Sequence, residues 1–153
     1  MNVGIDEKNR DLVSKELSVF LADSYLLYMK THGYHWNVKG PMFLSLHALF
    51  MTQYQELWIA LDEIAERIRA LDFSAPYGYK QLKNLSSIND ADTVHEAIDM
   101  VQDLLEGQET MIKSARNLLR VADEAGDDTT MGLATGRLAI HEKNAWMLRS
   151  ILS

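Results

Sequence analysis

The chain contains no cysteine. Disulfides and thiolate metal sites are therefore excluded, and any transition metal must be held by imidazole and carboxylate, a ligand set that suits iron, manganese or zinc. Proline is almost as scarce: only Pro41 and Pro76 interrupt the sequence, which leaves long stretches free of the residue that most strongly breaks a helix. No apolar run approaches the ~20 residues of a membrane span, and no basic stretch leads into an apolar one, so neither a transmembrane helix nor a secretory signal is expected. The expected location is cytoplasmic. Positive charge is also in short supply, with 15 Lys and Arg against 22 Asp and Glu, a net charge of −7 that repels polyanions and attracts cations. Strand patterns, internal repeats and low-complexity segments are missing as well.

What remains reads as helix. The 153 residues, 47% of them apolar, suffice for one domain with a sizeable core. A first helix is expected from about Asp6 to Val38, with Leu17, Phe20, Leu21, Tyr25, Tyr28 and Met29 on its apolar face, a soft spot at Gly33 and a stop at Gly40. A second begins at Pro41 and runs to about Leu71, roughly 45 Å of helix. Residues 72–92 form a long connection with a short helix around Lys80 to Asn84. The third long helix opens with Thr93-Val94-His95-Glu96, a capping-box pattern, and carries a stripe at Val94, Ile98, Val101, Leu105, Gln108, Ile112, Ala115, Leu119 and Ala122. Gly126 ends it, and Asp127 or Asp128 caps the fourth, whose stripe is Ala134, Leu138, His141, Ala145, Leu148 and Leu152. Four long helices joined by short, long and short connections imply an all-α, ferritin-like four-helix bundle over residues 1–153, its long crossover lying between the second and third long helices.

The chemistry concentrates on the first two helices. His32 and His35 share a face at the end of the first and serve equally as ligands or as packed rings beside Trp36. Asp62 and Glu66 stand one turn apart on the second, a pairing of like charges that costs a few tenths of a kcal/mol unless a cation lies between them; the alternative is a solvated face. Glu63 and Arg67 are placed for an ordinary i,i+4 ion pair. His141, inside an apolar stripe, reads as a hydrogen-bonded core histidine. His47 precedes Asp62 by fifteen residues on one helix, a separation of roughly 22 Å, so the two cannot bind one ion from a single chain. Two copies about a two-fold axis can, because antiparallel helices set the histidine end of one beside the acidic end of the other. The chain also lacks any Glu-x-x-His, the motif a site inside one bundle would draw on.

The run His35-Trp36-Asn37-Val38-Lys39-Gly40, then Phe43 and Leu46-His47, then Asp62 and Ala65-Glu66-Arg67-Ile68, resembles the signature of the Dps mini-ferritins, and the likeness extends to Gly126-Asp127 and to Glu142-Lys143 before Trp146-Met147-Leu148. That resemblance implies a hollow shell of twelve subunits that oxidises Fe(II), preferably with hydrogen peroxide, stores the ferric product as a mineral and so relieves oxidative stress. It implies a ferroxidase site at a two-fold interface, with His35 and His47 from one subunit and Asp62 and Glu66 from its partner, iron as the metal, and Trp36 and Trp146 as nearby aromatic residues. It also implies an acidic three-fold pore, to which Asp127 matches and Glu124 and Asp128 are neighbours.

The chain departs from that pattern at two places. Met51 stands one turn after His47, where the family commonly has a carboxylate, and a thioether is a poor ligand for a hard ion. Gly132 occupies a place often held by Asp, which makes the pore less acidic. The family's other activity, DNA binding through lysine-rich tails, is disfavoured: the first sixteen residues balance Lys8, Arg10 and Lys15 against Asp6, Glu7, Asp11 and Glu16, and twelve copies at −7 each carry −84 formally. A DNA-protecting nucleoid protein, or a scaffold shell with a weakened metal site, remain as the alternatives.

Overall fold

The computed structural model describes residues 1–91, 93 and 96–153, and among these every regular element is a helix. Four long helices, α1 (Glu7–Asn37), α2 (Phe43–Ala70), α4 (Ala97–Ala125) and α5 (Asp128–Leu152), make the bundle, and α3 (Tyr79–Leu85) lies in the crossover between α2 and α4. Local chemistry sets the ends. Asp6 caps α1, its Oδ1 accepting the Asn9 N–H at 2.8 Å. Gly40, at φ +100°, lets the chain reverse between α1 and α2 in a conformation that a side chain would resist. Gly126 closes α4 in the left-handed conformation, and Asp127 starts α5 at once by accepting the Thr130 N–H at 3.0 Å.

α1 packs on α2 and α4, and α4 packs on α5. Phe20, Phe50, Leu57, Ile64, Leu104, Met111 and Leu118 are wholly buried between them. Truncating any one of these leucines to Ala should cost about 2–5 kcal/mol, the lost transfer energy plus the cavity left behind. A second small cluster of Ala22, Leu26, Leu82 and Ile88 pins α3 to α1. The result is a closely packed pair, α1 and α2, whose turn brings the end of one helix against the start of the other.

Several expected details differ. Met29 is 45% exposed, and Leu26 and Leu27 point inward instead, because the buried stripe of α1 continues through Ser24, Thr31 and Tyr34. Ile98 is exposed and Ile112, Leu119 and Leu152 are only half-buried, while Met100, Leu104, Met111 and Leu118 take the fully buried positions; the inner face of α4 is wider than one stripe. The capping box at Thr93 does not form. Glu96 has extended dihedrals (φ −68°, ψ 159°) and itself stands as the N-cap, so it lies outside the helix and cannot be the third helical residue of a box begun at Thr93. Val94 and His95 lie outside the described residues.

Candidate metal centre

The turn at Gly40 sets His35, on the last turn of α1, beside His47, on the second turn of α2. Their rings stack with centroids 3.8 Å apart and planes 18° off parallel. Each is held by the backbone of the other: His35 Nδ1–H donates to the His47 carbonyl at 2.8 Å, and His47 Nδ1–H donates to the His35 carbonyl at 2.8 Å. In the neutral rings this reciprocal pair puts the proton on Nδ1 and leaves the lone pair on Nε2, the arrangement an outer hydrogen bond gives a metal-ligating imidazole. Neither Nε2 has a hydrogen-bond partner among the described residues. His35 is buried; Phe43 stands 5.0 Å from His47, and Tyr54 lies edge-on 5.2 Å from His35. His32 is held between Tyr54 and Trp36, each 4.2 Å away. Burial lowers its pKa, and the neighbouring His35 lowers it further. Trp36 is 67% exposed, which is not the environment of a ring kept for packing in one chain.

The carboxylates lie at the far end of α2. Asp62 and Glu66 are exposed, one turn apart, and border a cleft of about 620 Å³ walled by Leu21, Tyr25, Trp58, Ile59 and Tyr77. Neither carboxylate has an ion-pair or hydrogen-bond partner among the described residues. No group of three or more His, Asp or Glu side chains gathers in one chain among those residues. The four sequence-predicted ligands therefore form two half-sites, His35 with His47 and Asp62 with Glu66. The donor chemistry fits iron: two imidazoles with the outer nitrogen free and two carboxylates with no competing cation.

A family model described as a ferritin-like domain matches residues 14–153. The starvation-induced DNA protection protein 2 of Bacillus anthracis is 36% identical over 141 residues, covering 92% of this chain and 97% of that protein. The crystal structure of a Dps protein from Vibrio cholerae, described as a ferritin-like diiron-carboxylate protein, superposes with a TM-score of 0.95 at 30% identity, over 100% of this chain and 97% of that one. The chain belongs to the Dps family. A low temperature-induced protein of Nostoc sp. is also similar, 40% identical over 99% of this chain and 86% of its own length.

Several other polar residues of this Dps chain have structural partners. Arg67 does not pair with Glu63: its Nη2 reaches both Asp127 oxygens at 2.7 and 2.8 Å, and its Nε donates to Thr130 Oγ1 at 2.9 Å. A buried carboxylate offers a two-pronged, desolvated contact that an exposed Glu63 one turn away cannot match. Burial alone would raise the Asp127 carboxyl, but hydrogen bonds from Arg67 and Thr130 outweigh it and hold it below the usual range. Asp127 is 1% exposed, whereas Asp128 is exposed and Glu124 is exposed and paired with Arg120 at 2.8 Å. His141 is the core histidine expected: its Nδ1–H donates to Gln108 Oε1 at 2.7 Å and its Nε2 accepts from Arg137 at 3.0 Å. Arg137 in turn is bound to Glu56 on α2. Burial pushes the His141 pKa well down, with the Arg137 charge adding to it. Sequence reading missed Arg137, Glu56, and the contact of Lys30 and Tyr34 with Asp103 at 3.0 and 2.6 Å, all of which join residues far apart in the chain.

Proposed function

We propose that this protein oxidises Fe(II), with hydrogen peroxide as oxidant, at a site completed by two copies of the chain. His35 and His47 of one copy face Asp62 and Glu66 of the other. One observation carries the reading: a backbone-locked imidazole pair and an unpartnered carboxylate pair stand at opposite ends of α1 and α2, roughly 22 Å apart along the helix. Neither half holds an ion well alone, and two-fold pairing brings each to the other.

The two carboxylates neutralise the ion's charge and, as hard anionic oxygen donors, favour the ferric over the ferrous state. With one imidazole from His35 they hold the first iron, while His47 helps to hold a second or transient one. Two Fe(II) each give up one electron, the O–O bond of one peroxide breaks, and two protons enter to leave two waters. The ferric product is stored inside an oligomeric shell, for which the family resemblance gives twelve subunits. Exposed Asp128 supplies negative charge at the start of α5 for drawing Fe(II) inward, Glu124 being offset by its ion pair with Arg120 and Asp127 chiefly holding the helix in place.

Protection of DNA, the role in the name of the Bacillus anthracis relative, would come here from removing Fe(II) and peroxide before they yield hydroxyl radical. A grip on phosphates is opposed by the net charge of −7 per chain. The work is that of a cytoplasmic protein, and no helix among the described residues is long and apolar enough to cross a membrane.

Mixed shells test the shared site. His35→Ala/His47→Ala chains and Asp62→Ala/Glu66→Ala chains, each inactive alone, should regain part of the Fe(II) oxidation rate when dissociated and reassembled together. Well-mixed shells with no recovered activity would refute it.

A further inference from the structure

A row of oxidisable rings runs alongside the site without belonging to either half of it. Tyr54 stands edge-on to His35 with centroids 5.2 Å apart. Tyr28 lies 6.2 Å from Tyr54 and 5.7 Å from Trp58, and Tyr25 is 6.1 Å from Tyr28. Trp58 and Tyr25 then wall the cleft that holds Asp62 and Glu66. The row therefore starts at the imidazole half of one metal site and ends at the carboxylate half which, in a two-fold pair, belongs to the other.

Packing alone does not account for this row. The largest wholly buried side chains are Leu, Ile, Met and Phe, whereas Tyr25, Tyr28 and Tyr54 are half-buried and Trp58 is 61% exposed. The members of the row are phenols and an indole, the two side chains that yield an electron to strong oxidants, and the His32 imidazole flanks Tyr54 at 4.2 Å and Tyr28 at 5.6 Å without interrupting it. Phenylalanine, which does not, is absent from the path.

We infer that Tyr54, Tyr28 and Trp58 form an electron relay between the two metal sites of a two-fold pair. The inference rests on the iron-oxidation reading above. Tunnelling weakens exponentially with distance, so iron ions separated by roughly 22 Å exchange electrons too slowly to cooperate directly. Steps of 5.2 to 6.2 Å between ring centroids divide that distance into short hops.

The relay changes what peroxide does at a site that holds a single Fe(II). One Fe(II) alone cleaves the O–O bond with one electron and gives hydroxide and hydroxyl radical. With the relay, the iron gives one electron and Tyr54 gives the second, releasing its phenolic proton to solvent. The O–O bond breaks, two protons are taken up and two waters leave. The vacancy passes through Tyr28 to Trp58 and is filled when Fe(II) at the other site becomes Fe(III), the phenol regaining its proton. One peroxide is thus reduced by two irons that never share a site.

The Tyr28→Phe/Tyr54→Phe variant keeps both rings in place and removes the two oxidisable phenols. Assembled wild type and variant are loaded anaerobically with one Fe(II) per site and mixed with half an equivalent of peroxide. Hydroxyl radical is spin-trapped, protein radicals are read by freeze-quench paramagnetic resonance, and Zn(II) binding is measured separately by calorimetry. The wild type should trap little hydroxyl and show a transient tyrosyl or tryptophanyl signal. The variant should bind Zn(II) equally, lose the tyrosyl signal and yield several-fold more hydroxyl adduct, and Trp58→Phe, which interrupts the row elsewhere, should show the same rise. Equal radical and adduct yields in wild type and variants, with equal Zn(II) binding, overturn the relay alone. A wild type that binds no metal or leaves Fe(II) unoxidised overturns the iron-oxidation reading and the relay with it.

Discussion

Replacing Asp127 by Asn and by Ala separates two jobs that one carboxylate performs. Its Oδ1 caps α5 through the Thr130 N–H, while both oxygens receive the Arg67 guanidinium. Asn is as good a cap as Asp but carries no charge, so Asp127→Asn should lose mainly the charge-assisted bonds, about 2 kcal/mol. Ala loses the cap as well and strands Arg67, whose side chain is only 16% exposed. That places Asp127→Ala near the lower end of a broken buried pair, about 3 kcal/mol. Urea unfolding at fixed protein concentration should show both losses as shifts in midpoint at constant slope. The folded carboxyl titrates below its unfolded value of about 3.9, so its contribution is complete above that pH and is lost as pH falls through the folded pKa. The gap between wild type and Asp127→Asn should therefore persist at pH 7 and close in strong acid. An Asn variant as stable as wild type at pH 7 but slow to take up Fe(II) would refute this reasoning, because the carboxylate would then serve ion passage.

Three further outcomes are expected. His141 is neutral in the fold and gains its proton near pH 6.5 when unfolded, so stability should fall on acidification below that pH with a slope of about 1.4 kcal/mol per pH unit; His141→Gln should flatten that limb in urea titrations across the range. Metal-free protein should leave plasmid DNA unretarded in a gel at neutral pH and physiological salt, and a shift that survives chelator would contradict the charge argument. Met51, 38% exposed and one turn beyond His47, should make the second ion of each site weak; Met51→Asp should raise Zn(II) stoichiometry in calorimetry, and two firm ions per site in both proteins would show that another group completes it.

The helices were legible because they rest on local signals: Asp6, Gly40, Gly126 and Asp127 act within a few residues of themselves, and the structure begins and ends α1 within one residue of the expected bounds. The Thr93 box misled because the pattern alone cannot say where the helix starts, and it starts at Ala97, after Glu96 in extended conformation. Half of the candidate site was open to a length argument, since fifteen residues of one helix hold His47 and Asp62 apart. The partners of Arg67 and Arg137 were not. A sequence reader pairs Arg67 with Glu63 one turn back, but the bundle supplies Asp127 from 60 residues later, and joins Arg137 to Glu56 across 81. Nor does any spacing announce that the two histidines bond each other's carbonyls, which depends on how α1 and α2 meet across Gly40.

That exchange of carbonyls separates orientation from identity. What aims His35 is the main-chain oxygen at position 47, which any amino acid provides, and the reverse holds for His47. One imidazole can be replaced while the other keeps its acceptor, its tautomer and much of its aim. The proposed half-site can therefore lose or regain an imidazole in single substitutions, with one histidine still held by the other position's carbonyl. In the proposed site, one ion position can thus weaken by drift at one residue, without first dismantling the geometry that holds the other histidine.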